Sequence, residues 1–432
     1  WILFSYLYNV LVDFHLELIW KQLNKYNKLL VVKNIREFII KNKVLSSIAI
    51  KAYNQYNQLK VNRADFKYNE AKNPSITKNE LLNYNRNRNF KVSKVLCFAP
   101  KSSMIFSFDG NVYLCCENKS YPIGNILKQS ISEIWFGEQR QFLDNEINNN
   151  YNLSHGCQSC EWKIKNDVHS LALAQSFDLY SSQSNSNYPA RLDFEIHNTC
   201  NLECVMCRGI YSSSIQANRN KESARKILYD DTFIEQLKEF IPHLRYVNLL
   251  GGEPTLIKIY YEIMENVISL NPECLIHLQT NASKINDRFK NYLSRGNFQI
   301  GISIDSLNKE KVETIRKNIV FNEFMQNVNY YVQLYLSNKI KLTVNTCPMP
   351  ENWSDVLDII DFCNNNRISI SFSIVKYPYY SSFESSNIEF INQVVKVYRE
   401  KLQTMPRKGY FERNNYNRLK DLIQQTEKLI NK

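Results

Sequence analysis

Three observations predict an α/β fold: six apolar runs of strand length recur after residue 185, helix-like stretches separate them, and several runs end in small or polar residues. The runs are Leu192–Ile196, Tyr246–Leu250, Leu275–Leu278, Gln299–Ile304, Lys341–Thr346 and Ser369–Val375. Between them lie helix-like stretches that include Thr255–Leu270, Lys309–Leu336 and Trp353–Asn364. Strands alternating with helices need crossover connections and so build a parallel sheet. Six repeats fit an open, partial (β/α)6 barrel over residues 185–380, whose chemistry belongs at the C-terminal ends of its strands.

The elements before the barrel come in two parts. Residues 1–95 are a basic leader, with 17 Lys and Arg against 6 Asp and Glu, which accounts for most of the formal charge of +12. Apolar clusters at Leu29–Val32, Phe38–Ile40 and Val44–Ile50 predict helices, and Asn73–Phe90 reads as a looser Asn-rich linker. A leader of this kind fits RNA, an anionic membrane surface, an acidic partner or a simple solvated appendage. It carries no nucleic-acid motif, so nucleic acid is not the expected partner. Trp1–Val12 is apolar but too short to span a bilayer, and no basic flank or small-residue cleavage site marks a secretory signal. The chain does not begin with methionine, so an incomplete N-terminus is expected.

Residues 96–170 form a small α+β module. Met104–Phe108, Asp109-Gly110 and Val112–Leu114 read as a hairpin, because an Asp-Gly turn joins two apolar runs. Ile123-Gly124-Asn125-Ile126 follows, and Ser130 with Glu133 makes a capping box opening a helix through Phe142. After the barrel, residues 381–432 contain amphipathic helices at Ile388–Leu402 and Arg418–Ile430.

Cysteine placement carries the chemistry. Cys200, Cys204 and Cys207 stand in a C-x3-C-x2-C run directly after the first barrel strand. Three thiolates can hold three irons of a cubane cluster and leave the fourth iron open to bind a small molecule. Cys97, Cys115, Cys116, Cys157 and Cys160 make a second group within the module. Five cysteines suffice for one four-ligand site, either an iron–sulfur cluster or a structural zinc. Consecutive cysteines point in opposite directions along a strand, so one of Cys115 and Cys116 is expected to join Cys97, Cys157 and Cys160 while the other stays free; Cys116 is the one nominated, and alternation itself leaves the choice open. Cys274, Cys347 and Cys363 lack ligand spacing and read as small buried residues. Eleven cysteines, an odd number held mostly in ligand-like groups, argue against a disulfide scaffold and for a reducing cytoplasm.

The cysteine run, Gly251-Gly252-Glu253-Pro254, Thr280-Asn281-Ala282 and Ser303-Ile304-Asp305 occur in an order that resembles the radical S-adenosylmethionine (SAM) superfamily. The module resembles the SPASM/twitch auxiliary-cluster domains, here placed before a TIM-like partial barrel. The resemblance implies a [4Fe–4S] cluster on Cys200, Cys204 and Cys207 that chelates SAM, and an auxiliary [4Fe–4S] cluster. It implies that Gly251, Gly252 and Glu253 meet the SAM amino group and that Ser303 and Asp305 meet the ribose. Met206 stands where an aromatic residue usually packs on adenine, and Ala282 where glycine is usual. Alternation also turns Asp193, Glu195, His197, His277, Gln279, Asn281, Thr343 and Asn345 toward the barrel mouth, and Asn281 and Asn345 join the candidate SAM contacts.

The implied activity is reductive cleavage of SAM to a 5′-deoxyadenosyl radical, fed by a donor such as flavodoxin or ferredoxin. Hydrogen abstraction from a peptide or protein side chain follows, with a carbohydrate or other small metabolite as the alternative substrate. A non-catalytic SAM- or iron–sulfur-binding protein is the alternative of a different class. No residue is nominated as a catalytic acid or base.

Overall fold

The computed structural model describes residue 68 and residues 71–88, 95–183 and 187–430. The leader helices expected at Leu29–Val32, Phe38–Ile40 and Val44–Ile50 lie outside these residues. Part of the expected linker lies inside them and is a helix, Lys78–Arg86. Thr77 and Glu80 close a full capping box, and Tyr84 is buried against the module. The Asn-rich composition hid this helix; its cap and apolar face outweigh the modest propensity of asparagine.

The main-sheet strands are β1 (Ser103–Ser107), β2 (Asn111–Tyr113), β3 (Gly124–Asn125), β4 (Arg191–Glu195), β6 (Tyr246–Leu249), β7 (Leu275–Thr280), β8 (Phe298–Ser303), β10 (Lys341–Thr346) and β11 (Ser369–Phe372). Two short strands, β5 (Glu203–Cys204) and β9 (Arg316–Lys317), pair separately. The nine-stranded sheet runs β11-β10-β8-β7-β6-β4-β1-β2-β3. From β11 through β4 every pairing is parallel, which gives the expected six-stranded open barrel.

The module does not stand apart from the barrel. Strand β1 pairs parallel to β4 over five residues, Ser103↔Arg191 through Ser107↔Glu195. Its hairpin partner β2 and then β3 continue the sheet antiparallel. Phe106 stacks on its register partner Phe194 at 5.3 Å, and Phe233 of the helix Asp231–Phe240 meets both rings edge-on. One hydrophobic core therefore runs through both parts.

Two expected helices are broken. Ser130 caps as anticipated, but the helix stops at Trp135 and a second, Glu138–Asn148, begins after Gly137. The stretch Lys309–Leu336 divides into Lys309–Ile315 and Phe321–Leu336, with β9 between them. Asn318 adopts φ 76°, which a continuing helix does not allow. The last helix begins at Tyr410 rather than Arg418. Among the described residues no helix is long and apolar enough to cross a membrane.

Candidate active site

The loops at the C-terminal ends of the barrel strands converge on the cysteine run. The chain leaves β4 through His197, Asn198 and Thr199 and enters the loop that holds Cys200, Cys204 and Cys207. Gly252 N–H donates to His197 O at 3.1 Å and Glu253 N–H to Thr199 O at 2.7 Å, stitching the end of β6 to this loop. A Cβ on Gly251 would lie 2.3 Å from His197 O, and one on Gly252 2.1 Å from Thr199 O. Gly251 also has φ +109°, which L side chains rarely adopt. Thus the Gly-Gly pair is required by the close approach of the protein's own backbone.

The Glu253 side chain is committed within the protein, whereas the expectation concerns the Gly251–Glu253 run as a whole. Its carboxylate is buried and accepts from the Thr255 N–H and hydroxyl, the Thr280 hydroxyl at 2.7 Å and the Asn281 N–H at 2.8 Å. Burial raises its pKa, while these donors oppose the rise. It is a brace between β6 and β7. Asn281, so fixed, brings Nδ2 to 3.3 Å from Asn201 Oδ1 and 3.8 Å from Cys200 Sγ. Ala282 follows at φ 54°, fully buried, in the left-handed conformation for which glycine is favoured.

Asp305 is likewise engaged within the protein. Strand β8 ends at Ser303, so strand alternation no longer carries Asp305 onto the same face. Its carboxylate is buried, ion-paired at 2.6 Å with Arg316 and accepting the Cys347 N–H at 2.7 Å. Ser303 does remain near the barrel interior, where its hydroxyl accepts from Gln279 Nε2 at 2.8 Å. Asn345 Oδ1 accepts from the Ser371 and Ser373 hydroxyls, each at 3.1 Å. Met206 packs partly buried against the group formed by Ile315, Met349 and Val375.

A small antiparallel sheet clamps the cysteine run. Cys204 pairs with Arg316, Glu203 with Lys317, and Val205 N–H donates to Ile315 O at 2.9 Å. Glu203 is ringed by Asn218, Arg219, Lys317 and Asn318, which hold its pKa down at about 2. Burial pushes the Cys200 and Cys204 thiols up to about 12 and about 11. Such thiols bind metal only with loss of their protons, and a bound cation supplies the missing positive charge.

The barrel interior holds a polar chain. Arg191 pairs with Asp193 at 2.9 Å, Asn248 donates to Asp193, and Asn248 Oδ1 accepts from His277 Nδ1 at 2.7 Å. Burial, reinforced by Arg191, lowers the His277 pKa to about 4. At the rim, Glu195 is ion-paired to Lys119, so the module contributes a side chain to the barrel mouth.

The second cysteine group differs from expectation in one member. Cys97, Cys115, Cys157 and Cys160 line one pocket, whose apolar walls include Leu96, Ile147, Leu153 and Phe177. Cys116 lies outside it and is exposed, near Asp193 and Arg191 on the barrel side. The alternation argument held only for strand residues: β2 ends at Tyr113, and Cys115 sits in a turn closed by Asn118 N–H to Cys115 O at 3.1 Å. Burial, followed by the neighbouring cysteines, pushes the Cys97 and Cys115 thiols well up and Cys157 to about 11. Asn118 donates to Cys157 Sγ at 3.1 Å, while its buried Oδ1 has no partner among the described residues.

A single zinc ion would draw four thiolates to about 2.3 Å from one point. Among the described residues no three His, Cys, Asp or Glu side chains converge in that way.

Comparison with known proteins identifies two domains. Residues 194–363 match the radical SAM superfamily and residues 97–161 the SPASM iron–sulfur cluster-binding domain. The chain carries a radical SAM domain preceded by a SPASM domain. These domains imply a [4Fe–4S] cluster, SAM and auxiliary iron–sulfur binding. Among curated relatives, the GTP 3′,8-cyclase of Helicobacter pylori (strain HPAG1) is 26% identical over 175 residues, covering 40% of this chain and 51% of that protein. The GTP 3′,8-cyclase of Clostridium perfringens (strain SM101) is 25% identical over 183 residues, 42% of this chain and 54% of that protein. The chain thus spans about half the length of these relatives. Streptococcus suis SuiB bound to S-adenosylmethionine superposes with a TM-score of 0.37 at 16% identity, covering 58% of this chain and 60% of that one. An overlap that low carries no argument about the substrate of the radical SAM domain.

Sequence reasoning missed Arg316 and Cys347, both of which stand beside the cysteine run. Arg316 was hidden because its segment reads as uninterrupted helix, and only Asn318 hints at the break. Cys347 follows β10 as Cys200 follows β4, a strand-end position that spacing alone does not reveal.

Proposed function

We propose that this protein reductively cleaves SAM and uses the resulting radical to abstract hydrogen from a peptide or protein side chain. The observation that carries the reading is the meeting of three strand ends. Cys200, Cys204 and Cys207 follow β4, while Gly251–Glu253 and Asn281 are tied into the same loop by the bonds described above. When bound there, a reduced cluster supplies the electron that breaks the SAM carbon–sulfur bond. The chain's own residues hold the loop: Glu253 fixes Asn281, the Gly-Gly pair fixes Thr199, and β9 fixes Cys204. Cys97, Cys115, Cys157 and Cys160 would hold the auxiliary cluster.

Lys119 and Glu195, with the Arg191–Asp193 pair below, give the barrel mouth charged groups that can orient a polar substrate. The peptide reading rests on the presence of the auxiliary module. A small-metabolite substrate is the second reading, favoured by the name that the curated relatives carry. A soluble donor such as flavodoxin or ferredoxin and a cytoplasmic setting complete the proposal.

The test is anaerobic reconstitution of the full chain, iron counting and a dithionite-driven assay for 5′-deoxyadenosine, beside Cys204→Ala. About eight irons, with nucleoside made only by the unmutated chain, is the expected result. Well-loaded protein that makes none with two different reductants overturns the catalytic reading. Stimulation of nucleoside formation by a peptide pool rather than a nucleotide pool separates the two substrate classes.

A further inference from the structure

The buried ion pair Arg316–Asp305 has no place in the substrate chemistry above, yet it stands against a cluster cysteine. Arg316 is the register partner of Cys204 across β5 and β9. Its Nη1 points to Cys204 Sγ at 4.0 Å, and Nη2 contacts Asp305 Oδ2 at 2.6 Å. The side chains are only 8% and 1% exposed. Asp305 is itself immobilised, since Oδ1 accepts the Cys347 N–H at 2.7 Å and its carbonyl accepts Asn352 Nδ2 at 2.7 Å.

Burying two charges is costly before their attraction is counted, and apolar residues would often pack the same space at no loss. A pair kept in that place needs another reason. Donors to the sulfurs and nearby charge are among the factors that set the potential of an iron–sulfur cluster. A cation beside the thiolate favours the state that has gained an electron; a carboxylate behind it moderates that effect.

We infer that Arg316, held in line by Asp305, is a positioning residue that sets how readily the cluster on Cys200, Cys204 and Cys207 accepts its electron. The inference rests on the proposed function, since it presumes a cluster on those three cysteines. The two members of the pair act in opposite directions. Removing the guanidinium leaves the reduced state less favoured. Removing the carboxylate charge leaves the guanidinium uncompensated and the reduced state more favoured.

The experiment is a redox titration of the anaerobically reconstituted full chain, followed by electron paramagnetic resonance of the signal that changes when SAM is added. Arg316→Met is expected to shift the midpoint to more negative potential, Asp305→Asn to more positive, and Arg316→Lys to lie between Arg316→Met and the unmutated protein. Unchanged potentials, or shifts of both partners in one direction at equal iron content, overturn the inference; a merely structural pair predicts no opposition of sign. Should Arg316→Met fail to load iron, Arg316→Lys and Asp305→Asn carry the test by the same opposition. If the unmutated protein yields no signal that responds to SAM, the proposed function itself fails.

Discussion

Glu253 accepts the backbone N–H of Asn281 at 2.8 Å, and through that bond the end of one barrel strand sets the position of the next. The same carboxylate takes three further donations, from Thr255 twice and Thr280 once. Glu253→Gln turns one acceptor into a donor that faces another donor, at a cost of about 2 kcal/mol; Glu253→Ala leaves several buried donors unmet and costs about 3 kcal/mol or more. Denaturant midpoints at constant slope check both values.

Cys115 and Cys116 are adjacent in sequence and opposite in consequence. Cys115→Ala is expected to reduce iron from about eight to about four per chain, while Cys116→Ala leaves it at about eight. Iron and sulfide analysis after reconstitution reads the difference, and equal loss in both variants would refute the assignment.

Gly252 admits no side chain. In Gly252→Ala the new Cβ meets Thr199 O at 2.1 Å, so the backbone entering Cys200 must move. The variant is expected to lose the iron bound by Cys200, Cys204 and Cys207 and keep that of the module, retaining about half the total. Electron paramagnetic resonance with and without SAM distinguishes which signal has gone.

His277 makes stability depend on pH. Its folded pKa of about 4 lies below the usual 6.5, so the folded state holds it neutral. Between those values the unfolded chain binds more protons, and stability rises with pH. This contribution is fully present above about 6.5 and lost as pH falls toward 4. His277→Gln should flatten the dependence of melting temperature on pH within that window, and an unaltered slope would show that another group controls it.

The barrel was legible because burial imposes a pattern on its strands. Lys341–Thr346 appears in the structure with the bounds read from sequence, and the five other runs shift by a few residues at their ends. The hairpin and the Ser130 cap were legible for a similar reason: turn and cap chemistry is local. What escaped depends on chain direction after a strand has ended. Asp305 and Cys115 both lie just past the last paired residue, where the two-residue period no longer says which way a side chain faces. Arg316 escaped because its segment looks helical and becomes a strand only by pairing with Cys204, a distant partner. The pairing of β1 with β4 left no trace either, since an apolar run does not name the strand it will join.

That pairing decides what the smallest workable piece of this molecule is. A strand whose outer edge loses its neighbour offers a row of unpaired amides and carbonyls to any other chain. Cutting the polypeptide between module and barrel would bare the edge of β4 and uncover Phe194 beside it. The fragment would gain a sticky margin rather than independence. The two cysteine sites are thus built into a single rigid frame, with a spacing fixed by hydrogen-bonded strands and not by the length of a tether.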